Sequence, residues 1–384
     1  MVGLEVEVVR ATLVIGIIIG ALVYHFTRVS SGGVVTTPLL TMLVMTGRWA
    51  DILGWALIAL AGVGIIRLLA LRWPLPRPWL FYTGIFVTTA IHVAGLELSG
   101  SSVFSDPRLS LFLASGLYVC SGLTAYDAAR QGVVRTFTAA GLVTGITLAV
   151  IVPLRYITNT FGGEQQVVTE SPLRNPLLAL ICVGAAVAMR IGPKWGTAGI
   201  IGSLYLLNIA NVQSMLVVIG FTVAGSLIYR GIADSLGLSK KERLYSLLAV
   251  GCIASWFGLF WADYLGIPGA GEVAAYPIEP LIVIGLMIGE TVRYGFIRTA
   301  AGSAVVFGIT AIAADLLANR PETTPVVVAA AMAFVAAVIG VSLIRVRREW
   351  KIALEGGDKW GVAPENLSEV TAQPTRLRPA TESP

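Results

Sequence analysis

Charged side chains recur in a fixed order at two places in an otherwise apolar chain. Residues 122–136 read GLTAYDAARQGVVRT and residues 285–299 read GLMIGETVRYGFIRT, with six identities in fifteen positions. In each stretch an acid is followed by an arginine three residues later and by a second arginine after a glycine. The sets are Asp127, Arg130 and Arg135 in the first stretch, and Glu290, Arg293 and Arg298 in the second. Arginine binds carboxylates through a planar two-pronged donor, so this pattern suits ion pairing or the binding of an anion.

Three interpretations of these charges stay open from the sequence. In the first, the acid and the nearer arginine lie on one helical face and pair, and Gly132 or Gly295 breaks the helix. In the second, Arg135 and Arg298 are left without a partner and form a basic mouth that binds a polyanion or the acidic face of a ligase. In the third, the positive charges only set the membrane orientation, which explains their sign but not their spacing.

A second pair of short stretches carries glycines behind a basic residue. RVSSGGVV begins at Arg28 and contains Gly32 and Gly33, and KWGTAGII begins at Lys194 and contains Gly196 and Gly199. These glycines either allow close helix packing or open a helix whose N-terminal amides bind an anion.

Other chemistry has little support in the sequence. There is no phosphate-binding loop, no spacing typical of a metal site and no catalytic triad, so we expect no catalysis by this chain alone and no cofactor. His92 lies inside an apolar segment, where it is either a satisfied intramembrane histidine or a proton or substrate site.

The composition predicts an all-α polytopic membrane protein. Of 384 residues, 56% are hydrophobic and only 13% are charged, against about 25% charged in soluble domains. Tryptophans at the ends of many apolar segments suit the membrane interface. Lipid is therefore the expected surrounding of the chain, and nucleic acid is not an expected partner.

The recurring stretches belong to a longer internal repeat. The offset of 163 also relates Tyr82 to Tyr245, whereas the glycine stretches match at an offset of 166. We expect two repeats of about six helices in the same orientation, plus a C-terminal helix. The predicted divisions are 1–156 for the first repeat, 157–175 for an external linker, 176–320 for a divergent second repeat, 321–348 for the last helix and 349–384 for a disordered cytoplasmic tail.

Basic loops set the predicted topology. The segments 67–77 and 230–243 and the start of the tail are rich in arginine and lysine, which favours the cytoplasmic side. Thirteen spans satisfy these positions, with the N-terminus outside, the C-terminus inside and the chain in the cell membrane. Both charged stretches, Arg28 and Lys194 then lie on the cytoplasmic face. The first apolar segment is interpreted as a retained span.

The chain resembles the membrane subunit of poly-γ-glutamate capsule synthases, the CapC/PgsC family, as a tandem duplication. The resemblance rests on SGGVVTTPLL at 31–40 and SGLTAYDAARQGVV at 121–134, where Thr36 and Ser121 stand in place of the expected prolines. It implies a cytoplasmic ATP-dependent amide ligase of the Mur-ligase type (CapB/PgsB) as a partner. It also implies a membrane-anchored CapA/PgsA-type subunit and the anionic poly-γ-glutamate chain.

The expected function is therefore that of a membrane subunit for synthesis and export of a polyanion, poly-γ-glutamate first. A stand-alone secondary transporter for a small carboxylate is the alternative from another class. A purely structural anchor for a soluble ligase is the third possibility.

Overall fold

The computed structural model describes most of the chain, and its described residues form helices joined by loops, with no strand among them. The described residues are 6–72, 77–99, 111–158, 176–197, 199–200, 202–208, 211–233, 240–274, 276, 279–319 and seven single positions between 326 and 344. Most of the predicted linker 157–175, most of the predicted last helix 321–348 and all of the tail 349–384 lie outside these residues.

Apolar segments separated by glycine, proline or charge form the helices. Within the described residues they are α1 (Val6–Thr27), α2 (Thr36–Met45), α3 (Trp49–Arg72), α4 (Arg77–Ser99), α5 (Leu111–Gln131), α6 (Val133–Thr158), α7 (Pro176–Ile191), α8 (Gly202–Asn208), α9 (Val212–Ala233), α10 (Lys240–Tyr264), α11 (Ala270–Ala274), α12 (Glu279–Tyr294) and α13 (Phe296–Asn319). Apart from the short α11, the described helices number six in 6–158 and six in 176–319, as many as were expected for each repeat.

Six of these helices are long and apolar enough to cross a bilayer, namely α1, α3, α6, α9, α10 and α13. The peripheral helices expose large apolar side chains, such as Leu57 on α3 and Leu216 on α9. An aqueous surface would not favour this exposure, but lipid does. The chain is therefore a multi-pass α-helical membrane protein.

The helices pack in corresponding pairs in the first half (6–158) and the second half (176–319). Helix α4 packs on α5 and α10 on α12, while α1 packs on α6 and α7 on α13. The two halves join through reciprocal contacts, because α1 packs on α10 and α7 packs on α4. Helix α7 is buried along most of its length, so it lies at the centre of the bundle.

Glycine lets paired helices cross closely in both halves. A Cβ at Gly122 on α5 would lie 2.5 Å from the Cα of Ile85 on α4. At the matching crossing, a Cβ at Gly251 on α10 would lie 2.9 Å from the Cα of Gly285 on α12. Because the nearest atoms are backbone atoms, these crossings depend on the missing side chains.

The lengths of α2 and α8, within the described residues, are compatible with the change of offset along the sequence. Helix α2 has 10 residues and its counterpart α8 has 7. The three-residue difference equals the shift from an offset of 166 before these helices to one of 163 after them.

One end of the bundle collects basic side chains, and we call it the basic end. It is formed by the C-terminal ends of α1, α5, α7, α9 and α12 and the N-terminal ends of α4, α6, α10 and α13. Contacts across it include Arg28 to Glu242 at 2.7 Å and Arg230 to the carbonyl of Thr291 at 3.3 Å. The opposite end holds Glu272, whose pKa is lowered because the Ser214 hydroxyl and the Asn211 amide donate to its carboxylate.

Candidate functional site

Two glycines divide the charged stretches into paired helices at the basic end. Gly132 (φ 103°) separates α5 from α6, and Gly295 (φ 87°) separates α12 from α13. Both are in the left-handed region, which a residue with a Cβ adopts only at a cost. Their amides donate to equivalent carbonyls, those of Ala128 at 3.1 Å and Thr291 at 3.0 Å. The predicted break at these glycines is confirmed.

The glycine stretches form two loops that lie against these helix ends. Arg28 (φ 56°) and Lys194 (φ 59°) are the non-glycine residues with positive φ in the described part of the chain. Both loops use corresponding glycines for close packing. A Cβ at Gly33 would lie 2.9 Å from Leu123, and one at Gly199 would lie 2.8 Å from Leu286.

In the first half, polar side chains of α5 hold the loop in place. The Ser30 hydroxyl donates to Asp127 at 2.5 Å, and the Ser30 amide donates to the Gln131 side chain at 3.0 Å. Gln131 in turn donates to the Ser30 carbonyl and to Thr136. Thr124 donates to the carbonyl of Gly32 at 3.0 Å. The first acid of the repeated stretch is therefore part of a loop clamp.

In the second half, Glu290 does the same work with a longer side chain. Its carboxylate accepts hydrogen bonds from the backbone amides of Thr197 and of Gly199, the latter at 3.1 Å. It also forms an ion pair with Arg190, which comes from the end of α7. Both side chains of this pair are about nine-tenths buried.

Arg190 ties this cluster to the first half of the chain. Its guanidinium donates to Thr197 Oγ1 at 3.1 Å and to the Tyr82 hydroxyl at 3.3 Å, and it lies over the Tyr82 ring. At the offset of 166, position 190 corresponds to Tyr24. Tyr24 stacks on Tyr245, the counterpart of Tyr82, with ring centroids 5.8 Å apart.

The two predicted ion pairs have different outcomes. A guanidinium nitrogen of Arg130 lies 3.9 Å from a carboxylate oxygen of Asp127, and the Arg130 side chain is 48% exposed. Glu290 and Arg293 do not pair, so that prediction is wrong: Glu290 pairs with Arg190, and Arg293 lies over the ring of Tyr294. Arg190 is favoured over Arg293 as the partner of Glu290, because the attraction between opposite charges is stronger when both are buried away from water.

The remaining predicted basic residues surround the helix breaks and face outward. Arg135 and Arg298 are exposed in the first turns of α6 and α13, and no ion pair of theirs occurs among the described residues. Arg28 and Lys194 are also exposed, and Arg28 pairs with Glu242.

The glycine stretches pack closely against neighbouring side chains. A Cβ at Gly32 would lie 2.5 Å from the Thr124 hydroxyl oxygen, and the first residues of α2 are buried, so packing explains this stretch. In the second half the amides of Thr197 and Gly199 do bind a carboxylate, but it is the protein's own Glu290. In the second half, these two amides are therefore occupied from within the protein, and anion binding at Gly32 and Gly33 stays a prediction.

His92 is partly buried within α4 and does not join these clusters. It lies ten residues beyond Tyr82, which corresponds to about 15 Å of helical rise away from the basic end. Cys120, Cys182 and Cys252 are buried and unbridged. Groups of three or more potential metal ligands are absent from the residues that the structure describes.

Several site residues have only a weak signal in the sequence. Ser30, Gln131, Thr197 and Arg190 are polar residues at helix ends, and single side chains of this kind rarely stand out. The recurrence of Tyr82 as Tyr245 at the offset of 163 was the available clue, because both rings turn out to contact the end of a helix from the other half.

Fold and site together define a class: a multi-pass helical membrane protein with two acid-clamped loops at a basic end. No protein-family model, curated protein or solved structure gives a significant match to the chain.

Proposed function

We propose that this chain is the membrane subunit of a complex that synthesises and exports a polyanion, poly-γ-glutamate first. It consists of two repeats in the same orientation, with the basic end at the cytoplasmic face of the cell membrane. A Mur-ligase-like amide ligase docks there and supplies the ATP-dependent chemistry. A membrane-anchored subunit of the CapA/PgsA type completes the complex.

The observation that carries this proposal is the surplus of positive charge around the helix breaks. The acids of both repeated stretches are engaged with loops inside the protein, while the arginines that follow them remain exposed. The basic end therefore keeps cations that its own carboxylates do not neutralise. The exposed cations are Arg28, Arg130, Arg135, Lys194, Arg293 and Arg298. Arg28 pairs with Glu242 and Arg130 lies near Asp127, so the surplus charge comes from the other four.

This arrangement suits a chain of carboxylates better than a single anion. Cations at two corresponding helix breaks offer repeated contacts, and a polymer gains from several linked contacts at once. Glu290 provides an internal example of carboxylate binding, since its side-chain carboxylate is held by an arginine and two amides.

A secondary transporter for a small carboxylate is the second candidate. It is favoured by the interrupted α1–α2 and α7–α8 segments, which occupy corresponding positions in the two halves. Interrupted helices at such positions form substrate sites in transporters built from repeats. A structural anchor for the ligase would need neither the surplus of exposed cations nor the interrupted segments.

Replacing Arg135 and Arg298 by lysine or alanine tests the proposal. The variants are co-expressed with the ligase, and polymer per cell is measured at equal membrane levels of the chain. If the arginines grip carboxylates through both prongs, lysine fails nearly as badly as alanine. The loss of about 1.5–3 kcal/mol per contact corresponds to roughly tenfold to a hundredfold in an equilibrium. Arg67→Lys, an exposed arginine of α3, is the matched control and should have little effect.

Lysine variants as active as the parent would leave the arginines as topological anchors only.

A second experiment distinguishes a transporter from a synthesis subunit and uses the purified chain in liposomes. Uptake of labelled glutamate by the chain alone would favour the transporter and contradict the proposed role. Glutamate-dependent ATP hydrolysis by the chain alone would also contradict the proposed role, because the proposal assigns that chemistry to the ligase.

A further inference from the structure

Helix α3 has an apolar face toward the lipid, and an arginine lies within this face. The large exposed side chains that fall on this side of the helix are those of Leu53, Leu57, Leu60 and Leu71. Arg67 belongs to the same series, seven residues after Leu60 and four before Leu71, and it is also exposed. Because Leu71 is 85% exposed, the apolar face continues beyond Arg67.

Helix α9 repeats this arrangement in the second half. Its exposed apolar side chains include Leu216, Val223 and Leu227, and Arg230 continues the same face three residues after Leu227. Position 230 corresponds to position 67 at the offset of 163. The exposed arginine is therefore a feature of both halves.

Both arginines lie inside segments that are long and apolar enough to cross a bilayer. In each segment the arginine lies near the C-terminal end. For α9 this is the basic end, and α3 also ends there, since Ile66 packs in one cluster with Ala128 near the end of α5. A cation at this place is on the lipid side of the bundle and close to the membrane interface.

Their own helices supply neither arginine with a neighbouring carboxylate. Arg230 is the only charged residue of α9, and the acid of α3, Asp51, lies at the other end of that helix, where it pairs with Arg48. Ion pairs of Arg67 or Arg230 are absent among the described residues. Arg230 donates to the carbonyl of Thr291 at 3.3 Å, which uses one of its several N–H groups.

The acids near the ends of the adjacent helices are engaged inside the protein. Helix α3 packs on α5, where Asp127 accepts from Ser30, and α9 packs on α12, where Glu290 pairs with Arg190. A charge in the hydrocarbon of a bilayer is costly, and long basic side chains avoid this cost by extending to the interface. On the lipid side of α3 and α9, the anions at the interface are those of phospholipid headgroups.

We propose that Arg67 and Arg230 bind the headgroups of anionic phospholipids, one in each half, in the leaflet next to the basic end. A guanidinium donates paired N–H groups to phosphate oxygens. A lipid with net negative charge is favoured over a zwitterionic one, because a zwitterionic headgroup carries its own cation beside the phosphate. This inference does not depend on the proposed role in polymer synthesis, and its test uses binding alone.

The first experiment counts the lipids that the purified full chain retains. Native mass spectrometry is done from detergent micelles that contain phosphatidylglycerol or phosphatidylcholine at the same concentration. We expect two molecules of phosphatidylglycerol per chain and fewer of phosphatidylcholine.

Thermal unfolding in the same mixtures is the second readout. Phosphatidylglycerol should give a saturable rise in Tm of about 5 °C when it exceeds its Kd a hundredfold. Sodium phosphate, at constant ionic strength, is the probe for a free anion and should give no such rise.

Variants then locate the two sites. Arg67→Gln and Arg230→Gln should each weaken one site by roughly fivefold, and the double variant should lose the preference for phosphatidylglycerol. Arg67→Lys should retain binding, because an ammonium group also pairs with phosphate, so it remains a suitable control for polymer synthesis. Arg28→Gln is the matched control here, since Arg28 is exposed at the same end but is paired with Glu242.

Equal binding of the two lipids by the parent would overturn the proposal, and so would an unchanged preference in the double variant. A rise in Tm with sodium phosphate as large as that with phosphatidylglycerol would assign the arginines to a free anion and overturn it as well. Loss of the preference in Arg28→Gln but not in the double variant would place the lipid elsewhere on the basic end.

Discussion

At the scale of single residues, the two acids of the repeated stretch work in different electrostatic surroundings. Glu290 and Arg190 form a pair with only about a tenth of each side chain exposed. Asp127 instead accepts from Ser30 and has a half-exposed arginine at 3.9 Å. Removing one member of a buried pair strands a charge in a low dielectric, whereas an exposed pair is screened by solvent.

Substitution of the buried pair should show this difference. Arg190→Met and Glu290→Gln should each destabilise the protein by about 3–5 kcal/mol, and the double substitution by less than either single one. Arg130→Met, which removes the half-exposed partner, should cost at most about 1 kcal/mol.

Thermal or denaturant unfolding in detergent, analysed as a double-mutant cycle, gives the coupling energy of this pair. Additive effects of the two single substitutions would contradict a direct buried interaction between Arg190 and Glu290.

At the scale of elements, the helix breaks depend on glycine backbone geometry. Gly132 and Gly295 adopt left-handed φ, and a Cβ on either would meet no neighbouring atom within 4 Å. Glycine is therefore required at these two positions for its backbone conformation, and not because neighbouring atoms leave no room for a side chain. The break also determines where the charges go, because it ends the helix that carries the acid and begins the one that carries the exposed arginine.

Alanine at either glycine should destabilise the protein by about 1–2 kcal/mol through the cost of the left-handed conformation. Asparagine, which tolerates that region better, should cost less. Gly141→Ala is the matched control, because this glycine lies exposed inside α6 and an added Cβ would have no atom within 4 Å. This substitution should stabilise the protein by about 0.5–1 kcal/mol. Unfolding midpoints of the purified variants measure these effects, and equal shifts at positions 132 and 141 would refute the conformational explanation.

At the scale of the whole molecule, the first helix of each half packs against a helix of the other half. Helix α1 packs on α10 and α7 on α4, and these contacts bring the ends of α1 and α7 to the same basic end. Helices that start at the same end and contact the partner half reciprocally are expected for two repeats related by an axis along the membrane normal. This orientation and the cytoplasmic placement of the basic end remain predictions.

Labelling from the two sides of the membrane tests them together. Cysteine placed at the exposed positions Arg28 and Lys194 should react with an impermeant reagent only from the cytoplasmic side, and cysteine at Glu272 only from outside. The parent chain is the control, because its three cysteines are buried. Reaction of positions 28 and 194 from opposite sides would exclude repeats of the same orientation.

The sequence alone determined the features that depend on local composition and spacing. Few charges among long apolar segments were enough to predict a multi-pass helical protein. Glycine between two helical segments predicted the breaks at Gly132 and Gly295, and three-residue spacing predicted the contact of Asp127 with Arg130. Each of these follows from backbone conformation or from neighbours within one helical turn.

Only the tertiary structure decided which distant groups meet. Glu290 had an arginine at the right local spacing, yet it pairs with Arg190 from another helix, because burial strengthens a charge contact that solvent would weaken. Anion binding was one of two open interpretations for the stretch that contains Gly199, and the Gly199 amide donates instead to that same carboxylate. The approach of the Tyr245 hydroxyl to the side chains of Ser30 and Ser31 could not be predicted from the sequence, since it depends on helices brought together from separate parts of the chain.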